Sequence, residues 1–178
     1  MLKLFQPTIR FASLEKISVE TLLEAGIRGL VMDLDNTLTL WRATVIEDKV
    51  VDWIAQVKAG GIQVCVVSNS KTKRRVAIIA ERLGVPYVFR AIKPRRRGFL
   101  RAMQIMGSSV RDTAVIGDQL FTDVLGGNLL KLRTILVSPI SDHEFMGTKI
   151  LRIGERILWW MMKITSLPIS KMPNYPGT

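Results

Sequence analysis

Cysteine, histidine and long apolar segments are scarce in this sequence. Cys65 is the only cysteine, so no disulfide can form within the chain, and its place in the apolar run 62–67 predicts a buried thiol. The only histidine, His143, follows the last predicted strand and is expected in a surface loop with no role in activity. No apolar run reaches the roughly 18 residues that a membrane-spanning helix requires.

Acidic residues are also scarce. The formal net charge is +11, and the excess is concentrated in residues 71–111, where Glu81 is the only acidic residue. Such a field attracts nucleic acid, an anionic membrane or a phosphorylated substrate, and charge alone does not choose among them. The first seven residues lack the apolar core of a signal peptide. We therefore expect the protein in the cytoplasm, or on the stromal or matrix side of an organelle membrane.

What the chain does contain is a regular alternation of apolar runs and helical patterns. Its 178 residues, 48% of them hydrophobic, suffice for one domain with a proper core. Strands alternating with helices predict an α/β fold, with a parallel five-stranded sheet covered by helices on both faces. The predicted strands are 29–32, 63–67, 85–89, 113–116 and 134–137, and the predicted helices are 47–59, 73–83, 98–106 and 123–130.

Unusual polar residues stand at the ends of these strands, at the edge of the sheet where such folds bind ligands. They are Asp33 and Asp35 after the first strand, Ser68 and Asn69 after the second, Lys93 after the third, and Asp118 after the fourth. Each has a structural explanation when taken alone: Asp and Ser form turns, a lysine in a basic stretch is solvated, and Asp123 can cap a helix. Their order and their common edge favour a catalytic site.

This set of motifs resembles the haloacid dehalogenase (HAD) superfamily, with Asp-x-Asp-x-Thr at Asp33, then Ser68, then Lys93, then Gly-Asp-x4-Asp at Gly117. The resemblance implies a three-layer Rossmann-like fold and a phosphatase that acts through an aspartyl-phosphate. Asp33 would be the nucleophile, and Asp35 would be the general acid and base. The implied phosphate-binding residues are Thr37, Ser68, Asn69 and Lys93. The implied Mg²⁺ ligands are Asp33, the backbone carbonyl of Asp35, Asp118 and, directly or through water, Asp123.

Many HAD enzymes carry an inserted cap domain, and this sequence leaves no room for a large one. The segments from Thr37 to Ser68 and from Ser68 to Lys93 are used up by predicted helices and strands. We therefore expect an open site, which suits a large substrate or a partner that supplies the lid.

The C-terminal residues 146–178 are predicted to form a basic amphipathic helix and tail that follow a phosphatase domain of residues 1–145. The helix pairs a basic stripe with Trp159 and Trp160, a combination typical of helices in a membrane interface. Packing on the domain, or a contact between two copies, explains the same pattern. The basic stripe consists of Lys149, Arg152, Arg156 and Lys163.

A narrower resemblance, to the YqeG-type, subclass IIIA phosphatases, covers most of the chain. It rests on Leu-Phe-x-Pro from Leu4, Asp-Leu-Asp-Asn-Thr-Leu from Asp33, Val-Val-Ser-Asn from Val66, Lys-Pro at Lys93, and the long run from Val115 to Asn128. Members of that family in yeast mitochondria, plants and cyanobacteria act as phosphatidylglycerophosphate phosphatases. The resemblance implies an anionic phospholipid substrate and peripheral contact with a membrane surface.

Two alternatives remain open at this stage. One is a soluble phosphatase of a sugar phosphate or nucleotide, with a second copy of the chain as its lid. The other is an RNA- or ribosome-binding module with vestigial activity. No recognised RNA-binding motif is present, and the basic stretch lacks interleaved aromatic residues apart from Tyr87, Phe89 and Phe99, which argues against nucleic acid as the partner.

Overall fold

Six parallel strands form the centre of the structure, a computed structural model that describes residues 2–141. Their order across the sheet is β1-β6-β5-β2-β3-β4. The strands are β1 (Ile9–Phe11), β2 (Gly29–Met32), β3 (Gln63–Val67), β4 (Tyr87–Val88), β5 (Thr113–Gly117) and β6 (Arg133–Val137).

Five α-helices connect these strands. They are α1 (Val19–Glu24), α2 (Asp48–Ala59), α3 (Lys73–Leu83), α4 (Arg96–Met106) and α5 (Leu125–Leu129). Helices α3 and α4 end at Gly84 and Gly107, whose φ values of 60° and 65° lie in the left-handed region that glycine adopts without strain. A π-helical turn, Leu120–Val124, leads directly into α5.

Strand β2 shows why the sheet needs cover on both faces. All four of its residues are buried, as expected of a central parallel strand. Leu30 and Met32 belong to one hydrophobic core, which also contains buried residues of α1, α2 and α3. Val31, between them, belongs to a second core with Phe99 of α4. The predicted three-layer α/β fold is therefore confirmed, and no large cap interrupts the described residues.

The predicted number of strands was wrong, since the sheet has six strands rather than five. The strand missed is β1, which has only three residues, none of them fully buried, and pairs with β6 at the edge of the sheet. A strand this short and half-exposed leaves little periodic signal in the sequence. The helix predicted over 123–130 also differs, because its first part is the π-helical turn.

The predicted C-terminal helix, its tryptophans and His143 lie outside the described residues. Within residues 2–141, no helix is long and apolar enough to cross a membrane.

Candidate active site

The site forms where β2, β3 and β5 end. Asp33, Ser68 and Asp118 directly follow these three neighbouring strands. The pairing of β2 with β5 continues one step past the strand, where the Asp33 amide donates a hydrogen bond to the Ile116 carbonyl over 2.9 Å. The sheet therefore places Asp33 and Asp118 side by side.

Three buried carboxylates meet at this edge. One carboxylate oxygen from each of Asp33, Asp118 and Asp123 lies within 4.8 Å of the other two. Asp123 can lie this close to the end of β5 only because residue 117 is glycine: a Cβ on Gly117 would lie 2.3 Å from Asp123 Cγ. The π-helical turn sets the position of Asp123, whose amide donates to the Gln119 carbonyl over 3.1 Å. Thr37 Oγ1 donates to Asp118 Oδ1 over 3.1 Å.

Lys93 supplies the positive charge among these carboxylates. Its ammonium group is buried and donates hydrogen bonds to Asp33 and, over 2.7 Å, to Asp123. Asn69 holds the backbone of Lys93 from both sides: Asn69 Oδ1 accepts from the Lys93 amide over 2.6 Å, and Asn69 Nδ2 donates to its carbonyl over 3.3 Å. The side chain of Asn69, predicted to bind phosphate, therefore contacts the lysine backbone.

Burial and crowding change the proton affinities in this cluster. Burial raises the pKa of Asp33 to about 7; Lys93 opposes that rise, and Asp123 and Asp35 add to it. Burial alone would lower the pKa of Lys93, but the Asp123 and Asp33 carboxylates outweigh it and raise that pKa above its ordinary value. When ionised, three carboxylates against one ammonium leave an excess of two negative charges in a buried site.

The chemistry of the cluster fits a hard divalent cation such as Mg²⁺. Its donors are all carboxylate oxygens, which such ions prefer, and the uncompensated charge matches a divalent ion. Asp33, Asp118 and Asp123 would hold the ion. The Asp35 carbonyl remains a predicted ligand.

The carboxylate of Asp35 is held by an arginine that the sequence analysis did not single out. Arg75 Nη2 donates to Asp35 Oδ1 over 2.7 Å, and Arg75 Nη1 donates to Asp35 Oδ2 over 3.1 Å. Arg75 Nε also donates to the Ala43 carbonyl over 2.9 Å. Arg75 is one of three successive basic residues at the start of α3, and nothing in the sequence separates it from Lys73 and Arg74.

The site opens to solvent through a cleft of about 730 Å³. Asp33, Asp35, Asn69 and Lys93 line this cleft, as do Arg42, Lys71 and Arg75. Ser68 is buried, and its hydroxyl accepts a hydrogen bond from the Ser70 amide over 3.0 Å. Ser68 and Thr37 lie near the carboxylates in the fold but do not line the cleft.

Comparison with known proteins identifies relatives along most of the chain. A profile of the family described as mitochondrial PGP phosphatase matches residues 2–141. The probable phosphatase YqeG of Bacillus subtilis is 39% identical over 154 residues, which are 86% of this chain and 89% of that protein. The chloroplastic phosphatidylglycerophosphate phosphatase 1 of Chlamydomonas reinhardtii is 27% identical over 92% of this chain and 63% of its own length.

Solved structures support the fold. The cobalt-bound deoxy-D-mannose-octulosonate 8-phosphate phosphatase of Haemophilus influenzae superposes with a TM-score of 0.52 at 18% identity, over 78% of this chain and 91% of that one. A structure from Listeria monocytogenes superposes with a TM-score of 0.54 at 14% identity, over 67% of this chain and 85% of that one. At these identities the likeness concerns the fold alone.

Proposed function

The chain belongs to the mitochondrial PGP phosphatase family and is a phosphatase of the HAD type, and we propose that it hydrolyses phosphatidylglycerophosphate, with Mg²⁺, through a phosphoryl group carried on Asp33. The observation that carries this proposal is the meeting of Asp33, Lys93, Asp118 and Asp123 at one edge of the sheet. Mg²⁺, when bound, would supply positive charge beside the phosphoryl oxygens.

The residues of the chain divide the chemistry between them. An Asp33 carboxylate oxygen attacks phosphorus, and the bond from phosphorus to the ester oxygen breaks. Asp35 gives a proton to the departing alkoxide and then takes one from the water that hydrolyses the phosphorylated Asp33. The Lys93 ammonium reduces the repulsion between the attacking carboxylate and the phosphate dianion. Inorganic phosphate and the free alcohol are the products.

A lipid substrate is supported by the names of the relatives and by the surroundings of the cleft. The loop between β2 and α2 lines the cleft with Trp41 and Arg42. The same loop exposes two apolar side chains, Leu40 (48%) and Val45 (70%). Exposed apolar side chains beside basic ones suit contact with an anionic lipid surface. We therefore propose that the protein binds a membrane peripherally, with this edge of the sheet facing the lipid.

The direct test is phosphate release from phosphatidylglycerophosphate in detergent micelles. We expect release by the wild type with Mg²⁺, none with excess chelator, and none by Asp33→Asn. Glucose 6-phosphate and AMP, assayed in parallel, test the soluble alternative. Turnover of these small esters at rates above that of the lipid would overturn the lipid assignment and leave the phosphatase chemistry intact.

A further inference from the structure

The cleft contains two basic side chains that the catalytic cluster does not use. Four basic and two acidic side chains line it in all. Lys93 pairs with Asp33, and Arg75 pairs with Asp35. The other two, Arg42 and Lys71, form no ion pair with any carboxylate of residues 2–141. The wall of the cleft thus carries two positive charges without a described acidic partner.

Arg42 is held in place at this wall. Its backbone amide donates to Asp35 Oδ1 over 3.2 Å, which ties the loop to the catalytic edge. Its guanidinium carbon lies 4.4 Å from the centroid of the Trp41 ring, a cation–π distance that restricts the side chain. An arginine oriented in advance loses less entropy when it binds an anion.

Lys71 extends from an ordered loop that joins β3 to α3. The Ser68 hydroxyl accepts from the Ser70 amide over 3.0 Å, and the Ser70 hydroxyl accepts from the Thr72 amide over 3.2 Å. These two hydrogen bonds fix the backbone on either side of Lys71. Lys71 is exposed and lines the same cleft as Asp33.

We propose that Arg42 and Lys71 form a second anion subsite in the cleft, and that the enzyme selects phosphomonoesters whose leaving group carries another phosphate. This inference rests on the proposed function, because it assigns the reacting phosphate to Asp33 and Lys93. The second phosphate has two sources: it belongs to the same molecule as the reacting ester, or it belongs to a neighbouring phospholipid. The subsite proposed here serves the phosphate of the same molecule.

A matched pair of soluble substrates tests this subsite. Propane-1,3-diol monophosphate and propane-1,3-diol bisphosphate differ only in the second phosphate. At about 0.15 M salt, where exposed charges more than about 8 Å apart are largely screened but direct contacts persist, we expect the wild type to favour the bisphosphate in kcat/KM by roughly tenfold or more. We expect Arg42→Ala and Lys71→Ala each to lower this ratio severalfold. In the double variant, only the statistical advantage of two equivalent phosphates should remain.

Lys73→Ala is the matched control. Lys73 is exposed, lies two residues from Lys71 and does not line the cleft, so its loss removes one positive charge from the same region. The ratio should stay at the wild-type value in this variant. An equal fall in Lys73→Ala and Lys71→Ala would overturn the subsite, because it would show a general effect of charge.

Three further outcomes are decisive. A wild type that hydrolyses both esters with no preference overturns the subsite and leaves the proposed function standing. If neither ester is hydrolysed, the binding of both esters to Asp33→Asn is measured by calorimetry. Tighter binding of the bisphosphate than of the monophosphate, lost when Arg42 and Lys71 are also replaced by alanine, supports the subsite without the proposed function. If replacing Arg42 and Lys71 weakens flotation with phosphatidylglycerol vesicles but leaves the ratio between the two esters unchanged, the subsite is overturned in favour of a membrane contact.

Discussion

At the scale of single residues, the contact between Asp35 and Arg75 is the feature that bears most directly on the chemistry. Asp35, the proposed general acid and base, does not point freely into the cleft, because both of its carboxylate oxygens accept hydrogen bonds from the Arg75 guanidinium. Because Arg75 also donates to the Ala43 carbonyl, it links Asp35 to the loop that lines the cleft. Arg75 is therefore a positioning residue for Asp35.

Replacing Arg75 should slow the reaction by an amount that depends on the leaving group of the ester. In Arg75→Ala we expect kcat/KM, which reports only the steps up to phosphoryl transfer to Asp33, to fall by about 10²-fold for alkyl phosphates, since an alkoxide needs a positioned proton donor. For p-nitrophenyl phosphate, whose leaving group departs without a proton, we expect a change of only about threefold. Arg74→Ala, one position earlier on α3, is the control. Equal losses for both esters would mean that Arg75 only supports the fold.

The raised pKa of Asp33 predicts how Mg²⁺ binding depends on pH. The pKa of this carboxyl is raised from 3.8 to about 7 in the folded chain, so the metal-free protein should lose stability as the pH rises from about 4 to about 7 and lose no more from this group above that. Below pH 7, Mg²⁺ must displace the proton, and its apparent affinity should fall by about tenfold for each pH unit.

Thermal shift titrations with Mg²⁺ between pH 5.5 and pH 8.5 check both statements. We expect the stabilisation by Mg²⁺ to grow as the pH rises and to level off above about pH 7.5. A Mg²⁺ midpoint that does not move with pH would contradict the environment described for Asp33.

The sequence was sufficient to identify the candidate residues that directly follow strands. It was not sufficient to identify residues that hold another residue of the site in place. Asp33, Lys93 and Asp118 could be singled out because parallel strands end at a common edge. The hydrogen-bond partners of Thr37 and Asn69 could not be predicted, because a hydroxyl or an amide at a strand end can bind a phosphate or another part of the protein equally well. Only the fold shows that Thr37 donates to Asp118 and that Asn69 holds the Lys93 backbone.

At the scale of elements, the end of β5 and the π-helical turn decide where the third carboxylate lies. The sequence predicted an ordinary helix starting at Asp123, with that residue as the helix cap or, by the family resemblance, as a Mg²⁺ ligand directly or through water. The turn Leu120–Val124 instead places Asp123 beside Lys93. No periodic pattern distinguishes a single π-helical turn from an α-helix, so the sequence could name Asp123 as a candidate ligand but could not predict the turn or the contact with Lys93.

Gly117→Ala tests this arrangement. Its added Cβ would lie 2.3 Å from Asp123 Cγ, so that carboxylate must shift. We expect the Mg²⁺ concentration for half-maximal activity to rise by about tenfold or more. Gly127→Ala is the matched control, since its Cβ would meet Thr134 Cγ2 at 2.5 Å. That variant should lower the melting temperature without changing the Mg²⁺ requirement; a shared rise in both variants would contradict the role given to Gly117.

At the scale of the whole molecule, one edge of the sheet combines the site, the basic cleft and exposed apolar side chains. The alternation of strands and helices sufficed to predict the layers and the edge where the acidic side chains and Lys93 meet. It did not predict β1 at the edge of the sheet, nor that Leu40 and Val45 stay exposed, because exposure depends on which elements cover a loop.

Vesicle flotation tests whether this edge faces a membrane. In the full chain, the double variant Leu40→Glu, Val45→Glu should bind phosphatidylglycerol vesicles at least about fivefold more weakly, because it removes apolar area and adds negative charge. Val110→Glu is the control: Val110 is exposed and precedes β5, which places it at the opposite edge of the sheet. Equal binding by the wild type and both variants would exclude this edge as the lipid contact.

The covalent step is the point on which the proposed chemistry depends. Acid quenching of the protein during turnover of phosphatidylglycerophosphate with Mg²⁺, followed by mass spectrometry of the peptides, measures it most directly. We predict a phosphoryl group on the peptide that contains Asp33, present during turnover and gone once the substrate is consumed. A phosphoryl group on another residue, or wild-type turnover by Asp33→Asn, would contradict it.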